Sequence, residues 1–304
     1  MKKYLIYLLA STTLILSASC TTILIDTKPR IAVSIVPQET FIKAVAGNLV
    51  HVITMIPPGC SPANYQPTPL QMVEFSKADI YFSMGVPSEE ASILPKVKEL
   101  NKNIKIVSLA EKAAATYPYL YSTEINSDNQ SDSEQIEKNY HHTGRDPHVW
   151  LSPKRVMIMI DAIKDELILL DPTNKLIYEK NASDYISQLE HLDSTIASNL
   201  SSLKQKSFII YHPAFGYFAD DYGLNMVSIE KNGKETSAKR IQTVIDYAKK
   251  EKIKIVFYQE EFDGHQAEII ATEIKGATIK VTPLSPDYID NLKSISDTFK
   301  KVME

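Results

Sequence analysis

"DPTNKLIYEKNASDYISQLEHLDSTIASNLSSLKQ", residues 171–205, lies near the middle of the 304-residue chain and decides how its two flanks are read. Asp171 and Pro172 have the form of an N-cap followed by proline at the first helical position, and neither proline nor glycine follows until Pro213. Ala182, Tyr185, Ile186, Leu189, Leu192, Ile196, Leu200 and Leu203 keep the three-and-four spacing of one apolar helical face. The spacing predicts a helix over 172–204, about 33 residues long and roughly 50 Å at ~1.5 Å per residue. Such a rod can run the height of two lobes and join them stiffly. A helix buried in a single core is the plainer alternative.

On either side of the rod the pattern alternates. "IAVSIV" (31–36), "HVITMI" (51–56), "DIYFSMG" (79–85) and "NIKIVSL" (103–109) are short β-rich apolar runs, separated by helical segments over 40–49 and 69–78. Thr68, Pro69 and Gln71 form a capping-box start for the second of these helices. After a helix over 153–170 and the rod, a second series follows: "SFIIYH" (207–212), "NMVSIE" (225–230), "IKIVFYQ" (253–259) and "ATIKVTP" (277–283). Its intervening helices reach Tyr222 and cover 237–251 and 265–275, with a last one after Pro286. Strands and helices alternating at this interval imply parallel sheets with helices on their faces. The expected architecture is therefore α/β, with two parallel-sheet lobes joined by one long rigid helix. An N-terminal lobe spans 31–171, the connecting helix 172–204 and a C-terminal lobe 205–304. Ligands of open α/β sheets gather beyond the carboxyl ends of strands, so the site is expected in the interlobe cleft.

The first residues are read as processing information. Lys2 and Lys3 precede an apolar run from Tyr4 to Leu16 and the small residues Ser17-Ala18-Ser19 before Cys20. The arrangement resembles a bacterial lipoprotein signal over 1–19, with Cys20 as the lipidated first residue of a tether over 20–30. A plain secretory signal is the alternative. With Cys20 lipidated, only Cys60 remains and no internal disulfide can form. A composition of 44% hydrophobic and 23% charged residues is that of a folded protein rather than a disordered one. Without the two signal lysines, 31 basic residues face 37 acidic ones, a formal charge of −6 with no basic cluster, so nucleic acid is not an expected partner. Residues 116–145 are dominated by polar side chains and read as a mobile surface loop. His141 and His142 in it either gather metal loosely or are simply solvated.

Two histidines stand out. His148 in "RDPHVW" (145–150) is flanked by Pro147 and the Ser152-Pro153 helix start, with the chain's one tryptophan, Trp150, beside it. His212 ends the first strand of the second lobe, again just before a proline. Either could be a buried structural residue. One from each lobe, both held at the edge of an element, points instead to a shared metal ion, and neutral imidazole suits zinc and other late first-row metals.

The stretches "PPGCSPANYQPTP" (57–69), "SKADIYFSMG" (76–85), "DPHVWLSP" (146–153), "YHPAFGYFADDYGL" (211–224) and "IEKNGKETSA" (229–238) run in order along nearly the whole chain. With the lipoprotein signal and the long middle helix, they resemble the metal-binding lipoproteins of bacterial ABC importers for zinc and manganese, the cluster A-I or cluster 9 solute-binding proteins. The resemblance implies a lipid-anchored receptor in the periplasm or on the cell surface. It would act as a monomer, capturing a divalent metal between its lobes and handing it to an ABC permease with its ATPase. It also implies a ligand set of which this chain keeps only part. His148 and His212 match family ligands, but Ala63 stands where a histidine is usual and Thr282 where an aspartate is. Substitutes are sought at strand ends: Glu260 foremost, then Glu261 with Gln259 behind, Glu230, and Asn64 or Cys60 in the loop that lost its histidine. Zinc is favoured over manganese because the matching donors are nitrogens. A receptor with altered cargo and a surface adhesin are the alternatives. An enzyme comes last, since no HExxH, GxSxG or phosphate loop is present.

Overall fold

The computed structural model describes residues 28–123, 142–230 and 236–304. The signal, Cys20 and His141 lie outside them. The first lobe is built from β1 (Arg30–Val33), α1 (Val36–Ala46), β2 (His51–Thr54), α2 (Pro69–Phe75), β3 (Ile80–Ser83), α3 (Leu94–Leu100), β4 (Lys105–Ser108) and α4 (Leu109–Ala114). A two-stranded antiparallel ribbon of β5 (Tyr121–Thr123) and β6 (His142–Arg145) follows where only loop was expected. Then come α5 (Pro153–Leu170) and the long α6 (Lys175–Ser201). The second lobe holds β7 (Ser207–Ile210), α7 (Gly216–Asp221), β8 (Asn225–Ser228), α8 (Ala238–Lys250), β9 (Ile255–Gln259), α9 (His265–Glu273), β10 (Ala277–Val281) and α10 (Tyr288–Met303).

Both main sheets are parallel and share one topology, β2-β1-β3-β4 in the first lobe and β8-β7-β9-β10 in the second. The chain reverses its direction of travel across each sheet between the two central strands. A crevice therefore opens at the carboxyl ends of β1 and β3, and another at those of β7 and β9. The central strands of each sheet are buried on both faces. Ile31, Val33, Ile80, Phe82, Phe208, Ile210 and Phe257 point into one core that runs through the whole molecule. Ala32 and Tyr81 point to a smaller outer core of the first lobe, and Ile209 and Val256 to one of the second.

The shared core lines the rod. Tyr178, Ala182, Tyr185, Leu189, Leu192, Ile196 and Leu200 of α6 are buried, and the helix packs along α1, α5 and α10. At 27 residues it extends about 40 Å. It starts later than the sequence reading placed it, because Pro172–Asn174 form a 3-10 turn. The Asp171 carboxylate accepts from Asn174 Nδ2 and Tyr178 Oη rather than capping the backbone. The expected capping box is present at α2: the Gln71 amide donates to Thr68 Oγ1 and the Thr68 amide to Gln71 Oε1. No helix among the described residues is long and apolar enough to cross a membrane.

Buried polar ties cross between the lobes beside the rod. Arg155 of α5 meets Asp221 of α7 at 2.9 Å with both side chains buried, and Ser152 Oγ donates to the same carboxylate. Trp150 donates through Nε1 to the Pro283 carbonyl at 2.9 Å, and Tyr288 Oη donates to the Trp150 carbonyl at 2.7 Å.

Candidate metal centre

His148 leaves the ribbon at a fixed angle. Asp146, buried two residues earlier, accepts from the His148 amide at 2.9 Å and from its ring Nδ1 at 2.7 Å. Asp146 is itself held, since its amide donates to the Leu120 carbonyl and its carbonyl accepts from Tyr217 Oη. Glycine at 216 makes room for it: a Cβ there would stand 2.3 Å from Asp146 Oδ2. The Trp150 ring lies 5.2 Å from the imidazole and keeps the turn Val149–Leu151 buried.

His212 follows β7 and is clamped from the neighbouring strand. Gln259, fully buried at the end of β9, accepts from the His212 amide at 3.2 Å and donates to its carbonyl at 2.6 Å. The ring Nδ1 lies 2.5 Å from Glu230 Oε2, and Phe262 stacks on the ring with centroids 4.7 Å apart. Burial holds the His212 pKa below the usual imidazole value and outweighs the opposing pull of Glu230, so the ring is neutral near pH 7.

Each Nδ1 faces a carboxylate, an arrangement that places the proton of a neutral imidazole on Nδ1 and leaves the Nε2 lone pair free to bind a metal. Those two Nε2 atoms meet at 3.2 Å, one from each side of the cleft, with ring planes at 76°. Two lone pairs at this distance repel unless a proton or a cation lies between them. Nitrogens bound to one tetrahedral zinc at ~2.0–2.1 Å stand about 3.3 Å apart. The separation is therefore that of a preformed bite for one ion.

The remaining sequence expectations fare differently. Glu260 is not at the pair: its carboxylate points outward, 40% exposed, and faces Lys280 at 3.6 Å. Its neighbour Glu261 turns inward, and burial raises its pKa. Glu230 stands behind His212 as the partner of Nδ1. Ala63 and Asn64 are exposed, and Cys60 is half-buried against the central core. Thr282 donates its hydroxyl to Asn291 Oδ1 and accepts from Asn291 Nδ2 at its carbonyl, which joins the end of β10 to α10. Among the described residues, no third His, Cys, Asp or Glu completes a cluster with the two rings in this conformation. Asp146 was missed in the sequence, although an aspartate two residues before a histidine and just ahead of a proline is the local signal of a side-chain-braced turn.

The model of the family described as "Zinc-uptake complex component A periplasmic", ZnuA, matches residues 31–302. The chain belongs to the ZnuA family. It is 32% identical over 281 residues to the zinc-binding lipoprotein AdcA of Streptococcus pneumoniae R6, covering 92% of this chain and 54% of that protein. It thus spans about half the length of that relative. It is 27% identical to the high-affinity zinc uptake system protein ZnuA of Bacillus subtilis 168, covering 90% of this chain and 87% of the other. A crystal structure of a ZnuA deletion mutant with zinc bound superposes with a TM-score of 0.80 at 32% identity, covering 91% of this chain and 98% of that one. The two-lobed, rod-braced fold of this ZnuA-family chain is thus that of a known metal-binding protein.

The carboxylates behind the rings give a first prediction for this ZnuA-family site. Replacing Asp146 or Glu230 with alanine frees the imidazole behind which it stands, and losing such a partner costs roughly 10- to 100-fold in metal affinity. Competition with a chromophoric zinc chelator measures this directly. An affinity equal to that of the unaltered protein would show that the carboxylates do not orient the rings.

Proposed function

We propose that this protein is the extracytoplasmic binding component of a metal importer. It captures a divalent ion between His148 and His212 and delivers it to an ABC permease driven by its ATPase. The cargo is zinc in preference to manganese, since two neutral imidazoles suit a borderline-soft late metal better than a hard, oxygen-seeking one. The protein acts as a monomer tethered to the membrane by lipid on Cys20, and it carries out no catalysis. The observation that carries this reading is the convergence of two carboxylate-braced Nε2 atoms at 3.2 Å across the cleft. Names of relatives add support: both curated relatives described above are named for zinc.

Delivery requires the loaded and empty forms to differ for the permease. The Arg155–Asp221 and Trp150–Pro283 ties limit the lobes to small movements, so recognition rests on the two histidines already in place and on side-chain adjustment around them rather than on a wide hinge.

Elemental analysis of the mature protein, purified without added chelator, tests the reading, beside melting temperatures in a series of metals. One zinc per chain is expected, with zinc raising the melting temperature more than manganese. At ~100-fold excess over Kd the stabilisation amounts to about 2.7 kcal/mol. Ala63 and Thr282 support a second reading, in which the cleft keeps its histidines as hydrogen-bonding groups for a metal complex or small organic solute. That reading gains if zinc is absent and another solute raises the melting temperature.

A further inference from the structure

Two imidazoles fill only two of the four positions zinc normally uses, and the family's other donor positions hold Ala63 and Thr282. One anionic group nearby has no other employment. Both oxygens of Glu261 are shut off from solvent with no hydrogen-bond partner on another residue, and no other carboxylate among the described residues is in that state.

Its place in the fold directs it to the cleft. Glu261 lies in the turn that follows β9, closed by the Phe262 amide donating to the Gln259 carbonyl at 3.2 Å, and His212 lies just beyond the end of β7, the strand beside it. Both residues thus lie beyond the carboxyl ends of neighbouring strands, at the β7/β9 crevice where the sheet order reverses. Gln259 and Phe262, on either side of the glutamate pair, both hold His212: one clamps its backbone and the other stacks on its ring. His212 also lies within electrostatic reach of the Glu261 carboxylate.

We propose that Glu261 is the third metal ligand, an oxygen donor that turns onto the ion shared by His148 and His212 and makes up in part for the donors missing at Ala63 and Thr282. This rests on the metal-capture reading above. A buried carboxylate without a partner is costly as an anion, and a cation beside it removes that cost. The side chain must rotate on loading, because the three groups do not yet form a cluster. Two nitrogens and one carboxylate oxygen, with water in the fourth position, make an open zinc site of a kind well known in proteins.

The test compares the unaltered protein with E261Q, E261D, E260Q and the His148→Ala/His212→Ala variant. Zinc affinity is read by chelator competition, and geometry by the visible absorption of the cobalt-substituted forms. E261Q is expected to weaken zinc by more than the ~10- to 100-fold lost with a partner behind a ligand. It should also change the cobalt spectrum and leave the melting temperature of the metal-free protein unreduced. E261D, which keeps the charge on a shorter arm, should fall between, and E260Q should match the unaltered protein. If Glu261 is only a buried neutral acid, the isosteric E261Q will bind zinc and cobalt as the unaltered protein does, and the proposal falls while metal capture by the histidines stands. Should E261Q fail to fold, E261D decides by the same readings: affinity and cobalt spectrum equal to those of the unaltered protein overturn the proposal. Absence of zinc binding in the unaltered protein overturns both readings.

Discussion

Replacing His148 and His212 together with alanine is expected to reduce zinc from one ion per chain to background and to abolish the rise in melting temperature that zinc produces. Each single replacement leaves one nitrogen on its own side of the cleft, which cannot hold the ion against a chelator. The variants keep their fold. Asp146 retains the backbone amide of residue 148 as a donor after the ring is gone. Glu230 loses the Nδ1 it faces, at a cost of roughly 1–3 kcal/mol. Circular dichroism melts of the metal-free proteins separate this structural cost from the loss of metal. Zinc retained at full stoichiometry by the double variant would place the ion elsewhere.

Replacing Trp150 with alanine is expected to give the largest loss of stability of any single change near the site, about 3–5 kcal/mol in a urea melt. The indole is 1% exposed, so its removal opens a cavity in the core shared by both lobes. It also ends the Nε1–H donation to the Pro283 carbonyl, leaving that oxygen without its donor. Metal affinity should fall as well, since the turn that carries His148 is packed under the same ring. Trp150→Phe fills most of the space and should cost less. A loss below about 1 kcal/mol for the alanine variant would mean that this segment is not fixed by its tryptophan.

Much of the fold was legible because its signals are long or doubled. The rod declared itself through eight apolar residues on one face and an absence of breakers, and the two lobes through strand runs repeated on either side of it. What was missed is short. The 3-10 turn at Pro172–Asn174 hides inside an ordinary helix start. The β5/β6 ribbon pairs Tyr121-Ser-Thr with His142-Thr-Gly-Arg, stretches with no apolar alternation, so nothing in them distinguishes strand from polar loop.

The site divides in the same way. His148 and His212 could be picked out because prolines and a tryptophan surround them and because one falls in each lobe. Glu260 was named ahead of Glu261; in the structure Glu260 faces Lys280, while the oxygens of Glu261 are shut off from solvent. Both lie in the turn that follows β9, where strand alternation no longer sets direction, so the sequence carries no parity from which their orientation could be read. Glu230 and Asp146 brace the rings from elements distant in sequence or from a turn, and periodicity carries no trace of either.

The most direct measurement is anomalous scattering at the zinc edge from crystals of the zinc-loaded protein. A single peak between the lobes, about 2.0–2.1 Å from Nε2 of both His148 and His212, is the predicted result. A peak bonded to only one of these rings, or lying outside the cleft, contradicts the account.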